Sequence, residues 1–142
     1  MDLIDIMKIG ATAMTAQRTR MSVISSNMAN ATTTRTGEGG PYRRRDVIFS
    51  ELNFDDLLSQ ELDHSVTGVE VSQINVDTKE GQLVFDPDHP DANADGYVRM
   101  PNVNIVQEMT DMMGAARSYE ADVAIITTAK QMARKALTIG EG

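Results

Sequence analysis

The fold is decided by residues 101–142, PNVNIVQEMTDMMGAARSYEADVAIITTAKQMARKALTIGEG. Alternating steps of four and three residues along this stretch reach ten positions, nine of them apolar: Ile105, Met109, Met112, Ala116, Tyr119, Val123, Ile126, Lys130, Ala133 and Leu137. Such a repeat keeps one narrow apolar stripe on a helix and is typical of helices that pack lengthwise against other helices. The stretch therefore predicts a helix of about 50 Å, longer than a compact domain of this size needs.

Local chemistry marks both ends of this helix. Asn104, with Gln107 three residues later, has the spacing of a capping box. Three basic residues lie near the other end, where the helix dipole favours cations: Lys130, Arg134 and Lys135. Gly140 is suited to ending the helix. An ordinary core helix of a bundle would show the same periodicity, so the repeat alone leaves that alternative open.

A second heptad pattern starts near the N-terminus. The same count reaches eight positions, six of which are apolar: Leu3, Met7, Met14, Met21, Ile24 and Met28. The pattern stops in the segment NMANATTTRT, whose side chains compete for backbone hydrogen bonds and so end helices. We assign a junction to four residues of this segment: Asn27, Asn30, Thr33 and Thr34. We expect the two terminal helices to pair as a coiled-coil-like core and to present a second face outward.

Between the helices the sequence predicts one small antiparallel sheet. The proposed elements are a strand at 42–49, a turn or two of helix at 55–62, a strand at 69–76 with a bulge near Ser72 and Gln73, and strands at 83–85 and 97–100. The expected fold class is therefore α+β. Residues 1–36 and 101–142 would form the helical core, and residues 37–100 an inserted β-rich outer domain.

Composition restricts the class of protein. The 142 residues suffice for one domain with a moderate core, or for a small domain with extended arms. The absence of cysteine excludes a disulfide framework, a thiolate metal site and a thiol nucleophile. Ten methionines and 4% aromatic residues suit adaptable helix–helix surfaces. Without a secretory-signal pattern or a long apolar run, we expect a soluble chain with no cleaved signal and no membrane insertion.

Charge is spread unevenly over the chain. The net charge is −8, and residues 51–95 hold twelve acidic residues against one basic residue. This acidic block argues against nucleic acid as a partner. The run Arg43, Arg44 and Arg45 precedes it, and opposite charges on one protein suit electrostatic contacts between copies or neighbours. A solvated basic loop is the open alternative.

One loop has a pattern that resembles a metal site. Asp91, Asn93, Asp95 and Gly96 copy the first six positions of a calcium-binding EF-hand loop. The twelfth position is Asn102, whereas that loop requires a bidentate glutamate there. Since aspartate, proline and glycine also build turns, we predict a turn here, and we assign no catalytic, metal-binding or cofactor-binding residue to the chain.

Several segments resemble a known family. Three of them resemble the N-terminal signature of bacterial flagellar basal-body rod proteins: AQRTRM (16–21), SSNMANATTTRT (25–36) and GGPYRRRDVIF (39–49). Two more are similar to the proximal-rod FlgC family: DPDHPDANADGYVRMPNVN (86–104) and EMTDMMGAARSYEAD (108–122). The resemblance covers nearly the whole chain outside 51–66. Asp122 departs from it, since relatives usually carry asparagine after the Arg-x-Tyr-Glu-Ala element.

The resemblance implies a structural, non-enzymatic role. Terminal helices of many protomers would pack into a hollow helical rod that transmits torque and lets export substrates pass. The implied partners are other copies, other proximal-rod and basal-body proteins, and the flagellar type III export apparatus. The implied place is the periplasmic span of the basal body, reached without a cleaved signal. Alternatives from other classes are a soluble helical adaptor or chaperone, and a weak calcium-binding module.

Overall fold

The computed structural model describes residues 3–53 and 67–140. Its elements, in chain order, are α1 (Leu3–Ala29), β1 (Arg45–Asn53), β2 (Thr67–Val76), β3 (Leu83–Phe85), β4 (Tyr97–Arg99) and α2 (Ile105–Gly140). Two long terminal helices with a small antiparallel strand region between them confirm the α+β expectation. The helical turns predicted at 55–62 lie outside the described residues.

The two helices pack side by side and antiparallel. Gly10 of α1 faces Ile126 of α2, and Asn27 near the end of α1 bonds to Glu108 near the start of α2. A β carbon at Gly10 would lie 2.7 Å from Cγ1 of Ile126, so glycine is required for this close approach. The pairing of the terminal helices predicted from the two heptad patterns is thus present within one chain.

The stripe of α2 that faces α1 is rotated from the one that the apolar repeat predicts. Its members are buried or half-buried and again follow steps of four and three: Glu108, Met112, Ala115, Tyr119, Asp122, Ile126, Ala129 and Ala133. Four apolar members of the predicted repeat are exposed instead: Ile105, Met109, Val123 and Leu137. Small residues at Ala115 and Ala129 allow the helices to approach closely, and counting apolar residues undervalued them.

Asn104 caps the start of α2. Its side-chain oxygen accepts hydrogen bonds from the backbone N–H groups of Val106 (3.0 Å) and Gln107 (3.3 Å). These N–H groups have no partner inside the helix, so the cap supplies one. The predicted N-terminal boundary of α2 is confirmed.

Strands β1 and β2 form an antiparallel hairpin that packs on α1. Ile48 lies opposite Gln73 while Phe49 lies opposite Val71, so Ser72 is the extra residue of a bulge. This confirms the bulge predicted from the phase change. On the α1 side, the hydroxyl of Thr12 accepts a hydrogen bond from the N–H of Val69 (3.2 Å).

The single sheet predicted from the sequence is wrong for the described residues, because β3 and β4 pair only with each other. The loop between them closes tightly, with the N–H of Asp86 donating to the carbonyl of Gly96 (2.9 Å) and Gly96 at a φ of 78°. Ahead of β3, Gly81 packs so closely on the backbone of Met100 and Pro101 that a β carbon would clash there. This approach directs β3 toward β4 rather than back toward β2.

Candidate functional site

A buried asparagine joins three segments of the chain. Asn27 has no exposed surface, and its Nδ2 donates to Oε2 of Glu108 (2.9 Å) and to the carbonyl of Arg45 (2.7 Å). Its Oδ1 accepts from the hydroxyl of Tyr42 (3.0 Å) and from the N–H of Arg45 (2.9 Å). An asparagine side chain has two donor hydrogens and two acceptor lone pairs, so this arrangement satisfies it fully. The end of α1 is thereby fixed to β1 and to α2.

Glu108 is the second buried polar group, with 0% of its surface exposed. Nε of Arg44 donates to its Oε1 over 2.6 Å, and the same guanidinium lies 3.5 Å from Asp111 and 3.6 Å from Asp46. Burial acts to lower the pKa of Arg44, but the hydrogen bond and charge of Glu108, with Asp46 and Asp111, outweigh it and raise that pKa. The buried carboxylate therefore faces a permanently charged partner.

Backbone bonds hold the arginine in place. The N–H of Arg44 donates to Oδ1 of Asn102 (2.7 Å), and its carbonyl accepts from the N–H of Asp77 (2.8 Å). We call Asn27, Tyr42, Arg44, Asn102 and Glu108 the polar junction. It connects α1, the start of β1, the connection before α2, and α2 itself.

The four junction residues predicted from the sequence all make hydrogen bonds at the end of α1. Besides Asn27, Nδ2 of Asn30 donates to the carbonyl of Ser26 (2.9 Å), and the hydroxyl of Thr33 donates to Oδ1 of Asn30 (3.2 Å). The hydroxyl of Thr34 donates to Oδ2 of Asp91 over 2.8 Å. This last bond ties the β3–β4 loop to the end of α1.

Asn93 and Asp91 of the EF-hand-like loop form hydrogen bonds within the protein. Oδ1 of Asn93 accepts from the N–H groups of Asp95 (3.0 Å) and Tyr97 (2.9 Å). The carboxylate of Asp91 is held by Thr34 and lies 3.7 Å from Arg35. The predicted turn is confirmed. Within 3–53 and 67–140, no group of three or more acidic or histidine side chains is placed to hold a metal ion.

The three consecutive arginines have different environments. Arg44 is engaged inside the chain, as described above, so it is not available as the free surface charge that the sequence suggested. Arg43 and Arg45 are exposed, and the guanidinium of Arg45 lies 5.8 Å from the ring centroid of Tyr42. A contact of Arg43 and Arg45 with neighbouring molecules stays a prediction.

The helices leave an apolar surface uncovered. We call the outer stripe five exposed large apolar side chains on one side of α2: Ile105, Val106, Met109, Met113 and Val123. Ile125 and Met132 are exposed on another side of the helix, and Leu137 is exposed at its C-terminal end. On α1, Ile24 of the predicted repeat is buried, whereas five others are half-buried: Leu3, Met7, Met14, Met21 and Met28. The remaining predicted positions of α2 are half-buried too: Met112, Ala116, Tyr119 and Ile126. Neither helix of the described ranges is apolar enough over its length to cross a bilayer.

Sequence reasoning missed three residues of the polar junction: Tyr42, Asn102 and Glu108. Glu108 reads as an ordinary acidic residue in the first turn of a helix, where the dipole favours it. A signal was nevertheless present, since Glu108 begins the four-and-three series that reaches Ala115 and Ala129. Small residues such as alanine at heptad positions indicate close helix packing, just as large apolar residues do.

The pH dependence of stability tests whether Asp122 is packed against α1. It is half-buried on the α1-facing stripe, and burial raises its pKa. Because the folded-state pKa is raised, the associated stability is present at low pH and lost as the pH rises through that pKa. We expect Asp122→Asn to raise the thermal midpoint at neutral pH by at most a few degrees, and the gain to vanish in acid. Thermal unfolding at both pH values, with exposed Asp88→Asn as control, measures this; an equal gain at both would contradict it.

Comparison with known proteins gives consistent matches. A family model described as flagella basal body rod protein matches residues 7–35, and one described as flagellar basal body rod FlgEFG protein C-terminal matches residues 94–139. Proteins named flagellar basal-body rod protein FlgC are similar over their whole length. That of Bacillus subtilis is 44% identical over 95% of this chain and 96% of its own. That of Borreliella burgdorferi is 41% identical over 100% of both, and that of Escherichia coli 38% over 99% and 100%.

Proposed function

We propose how this chain, which belongs to the FlgC family of flagellar basal-body rod proteins and is a structural subunit of the rod, assembles. It would polymerise through its two terminal helices into the hollow shaft of the proximal rod. The shaft would transmit motor torque and let export substrates pass. Copies of the chain and other rod proteins would be its direct neighbours.

The outer stripe carries this proposal. Residues Met109, Met113 and Val123 are between 41% and 57% exposed on a helix that already buries its other face against α1. Monomeric proteins rarely expose contiguous apolar patches larger than about a few hundred Å². Helices of neighbouring subunits would cover the outer stripe by packing lengthwise.

The polar junction supports a division of the chain into a rod core and an outer domain. We propose that residues 1–36 and 101–142 form the rod core and that residues 37–100 form the outer domain. Glu108 of α2 accepts hydrogen bonds from Asn27 of α1 and from Arg44 of the outer domain, and these bonds would fix the angle between core and outer domain. A subunit that passes torque needs such a rigid connection, and this role requires no catalytic chemistry.

The route and final place of the subunit follow from the same role. We propose export by the flagellar type III apparatus without a cleaved signal, and residence in the periplasmic span of the basal body. A chain without cysteine cannot be trapped by disulfides while it passes unfolded through a narrow channel. Exposed Arg43 and Arg45 would meet acidic surface on neighbouring subunits and help to set register.

Val123→Asp tests the role of the outer stripe. Val123 is 41% exposed, so an aspartate there leaves the monomer folded but would place an unpaired charge in a contact between subunits. We expect cells that carry only this variant to lose rods and swimming, while export of the subunit continues. Electron microscopy of basal bodies and a motility assay measure the outcome.

Ser118→Asp is the matched control for Val123→Asp. Ser118 is exposed on the same helix outside the outer stripe, so the added charge should be tolerated. Normal rods with Val123→Asp, at parental levels of expression and export, would contradict the proposed packing.

A further inference from the structure

We propose that the C-terminal end of α2 in one copy docks on the outward face of the β3–β4 hairpin in a second copy. The contact is head-to-tail and rests on the proposed self-assembly, for which it names a second interface besides the outer stripe. The hairpin face is apolar and has acidic residues at its rim. The end of α2 is exposed and carries basic residues beside an apolar residue.

The hairpin face is apolar and unpartnered within the described chain. Side chains alternate between the two sides of a strand, so Leu83 and Phe85 share one side. The register places Tyr97 opposite Phe85 and Arg99 opposite Leu83 on the same side, where the charge of Arg99 is paired with Glu80. Phe85 is 64% exposed and packs edge-on against Tyr97 with ring centroids 5.2 Å apart. On the opposite side Val98 is buried against the rest of the protein. A face this apolar on so small a hairpin needs a cover.

The rim of this face is negative. Asp86, Asp88 and Asp95 are exposed around the loop that joins β3 to β4, and none of them forms an ion pair with another described residue. Asp91, in the same loop, instead accepts a hydrogen bond from Thr34 and forms an ion pair with Arg35. The complementary partner is therefore apolar at its centre and basic at its edge.

The end of α2 has this composition. Leu3 lies seven residues before Gly10, and residue 133 lies seven residues after Ile126, so the antiparallel pairing places these two positions side by side. Helix α2 therefore continues beyond the first described residue of α1. Lys130, Arg134 and Leu137 are spaced by four and three residues and lie on one face of this helix end. All three are exposed, Leu137 by 70%. The two cations lie outside every ion pair of the described residues.

One chain cannot make this contact with itself. The Thr34–Asp91 bond holds the hairpin beside the end of α1 and the start of α2. Arg134 lies 26 residues beyond Glu108 on a continuous helix, which is about 40 Å away. Two complementary patches at opposite ends of an elongated subunit give a heterologous contact, and such contacts generate open helical assemblies when the rotation does not close. A second copy is the occupant that fits.

The natural absence of cysteine permits a direct test. Chains carrying Phe85→Cys are mixed with chains carrying Leu137→Cys and oxidised, and mass spectrometry identifies the linked species. We expect a disulfide between positions 85 and 137 of different chains. A chain with both substitutions should give a ladder of multimers, because its own two cysteines are too far apart to join.

A matched control separates docking from random collision. Glu38→Cys places a thiol on another exposed loop and should link to Leu137→Cys several-fold less than Phe85→Cys does. Circular dichroism checks the fold of each variant, and Leu83→Cys replaces Phe85→Cys if the latter is unfolded.

Charge reversal tests the complementarity itself. Lys130→Glu with Arg134→Glu on the Leu137→Cys chain should lower the yield several-fold, and Asp86→Lys with Asp88→Lys on the Phe85→Cys chain should restore it. Equal yields for Phe85→Cys and Glu38→Cys would overturn the docking. If Val123→Asp still abolishes rods in that case, the proposed rod function stands and this interface alone is wrong.

Discussion

Replacing Glu108 with alanine is expected to lower the free energy of unfolding by about 3 kcal/mol, the lower end of the loss when one partner of a buried ion pair is removed. The guanidinium of Arg44 would lose its 2.6 Å partner, and Nδ2 of Asn27 would lose one of its two acceptors. Asn27 has no exposed surface, so its lost bond could not be replaced by water. The side chain of Arg44 is 23% exposed and keeps Asp111 at 3.5 Å and Asp46 at 3.6 Å, which limits the loss. Urea unfolding of the purified chain, followed by circular dichroism, measures the loss.

Two control variants distinguish the effect of removing a buried charge from the effect of removing any carboxylate near Arg44. Asp111 also faces Arg44, but over 3.5 Å and with its side chain 27% exposed, so Asp111→Ala should cost only about 0–1 kcal/mol. Glu108→Gln keeps the size of the side chain and an oxygen for Asn27, but removes the charge opposite Arg44. It should fall between the two alanine variants. If Glu108→Ala and Asp111→Ala cost the same, the polar junction does not stabilise the connection as described.

The long helices could be predicted from the sequence because their signal is local and repeated. Ile105 is the first residue of the predicted C-terminal repeat and also of α2. The bulge at Ser72 could also be predicted from the sequence, because one extra residue shifts every later side chain to the other side of the strand. Such features depend on neighbours within a few residues along the chain.

The polar junction and the pairing of β3 with β4 could not be predicted in this way. The bond from Asn27 to Glu108 spans 81 residues, and the bond from Arg44 to Glu108 spans 64. Either Asn27 or Asn30 could have been the buried asparagine at the end of α1. The close approach of Gly81 to Met100 is likewise a property of the folded backbone, with no mark in the residues around it.

The choice of helix face was the step at which periodicity failed. The predicted and the observed stripes of α2 differ at every second position and share the others: Met112, Tyr119, Ile126 and Ala133. The more apolar stripe was predicted to be the contact, but the stripe with small residues packs against α1 and leaves Val123 exposed. Apolarity indicates that a surface will be covered, whereas side-chain size decides which face a close antiparallel neighbour within the same chain can cover.

Ile126→Asp and Val123→Asp should therefore fail in different ways, although the sequence places both residues on one stripe. Cγ1 of Ile126 fills the space over Gly10, so shortening this side chain opens a cavity in the α1–α2 contact. For a half-buried isoleucine, loss of the side chain alone costs about 2 kcal/mol, and a charge beside α1 adds its desolvation. We expect Ile126→Asp to lower the thermal midpoint of the isolated chain markedly.

The isolated chain carrying Val123→Asp should unfold at nearly the parental temperature, because its side chain already faces water. Circular dichroism melts of the two purified variants, followed by rod assembly in cells, distinguish a fold defect from an assembly defect. Ile126→Ala is the size control, since it opens the cavity without the charge and should lie between the parent and Ile126→Asp. If both aspartate variants melt like the parent and both block rods, then Ile126 faces a neighbouring subunit rather than α1. The antiparallel pairing within one chain would then be incorrect at its centre, and the contact that we assign to Gly10 would belong between copies.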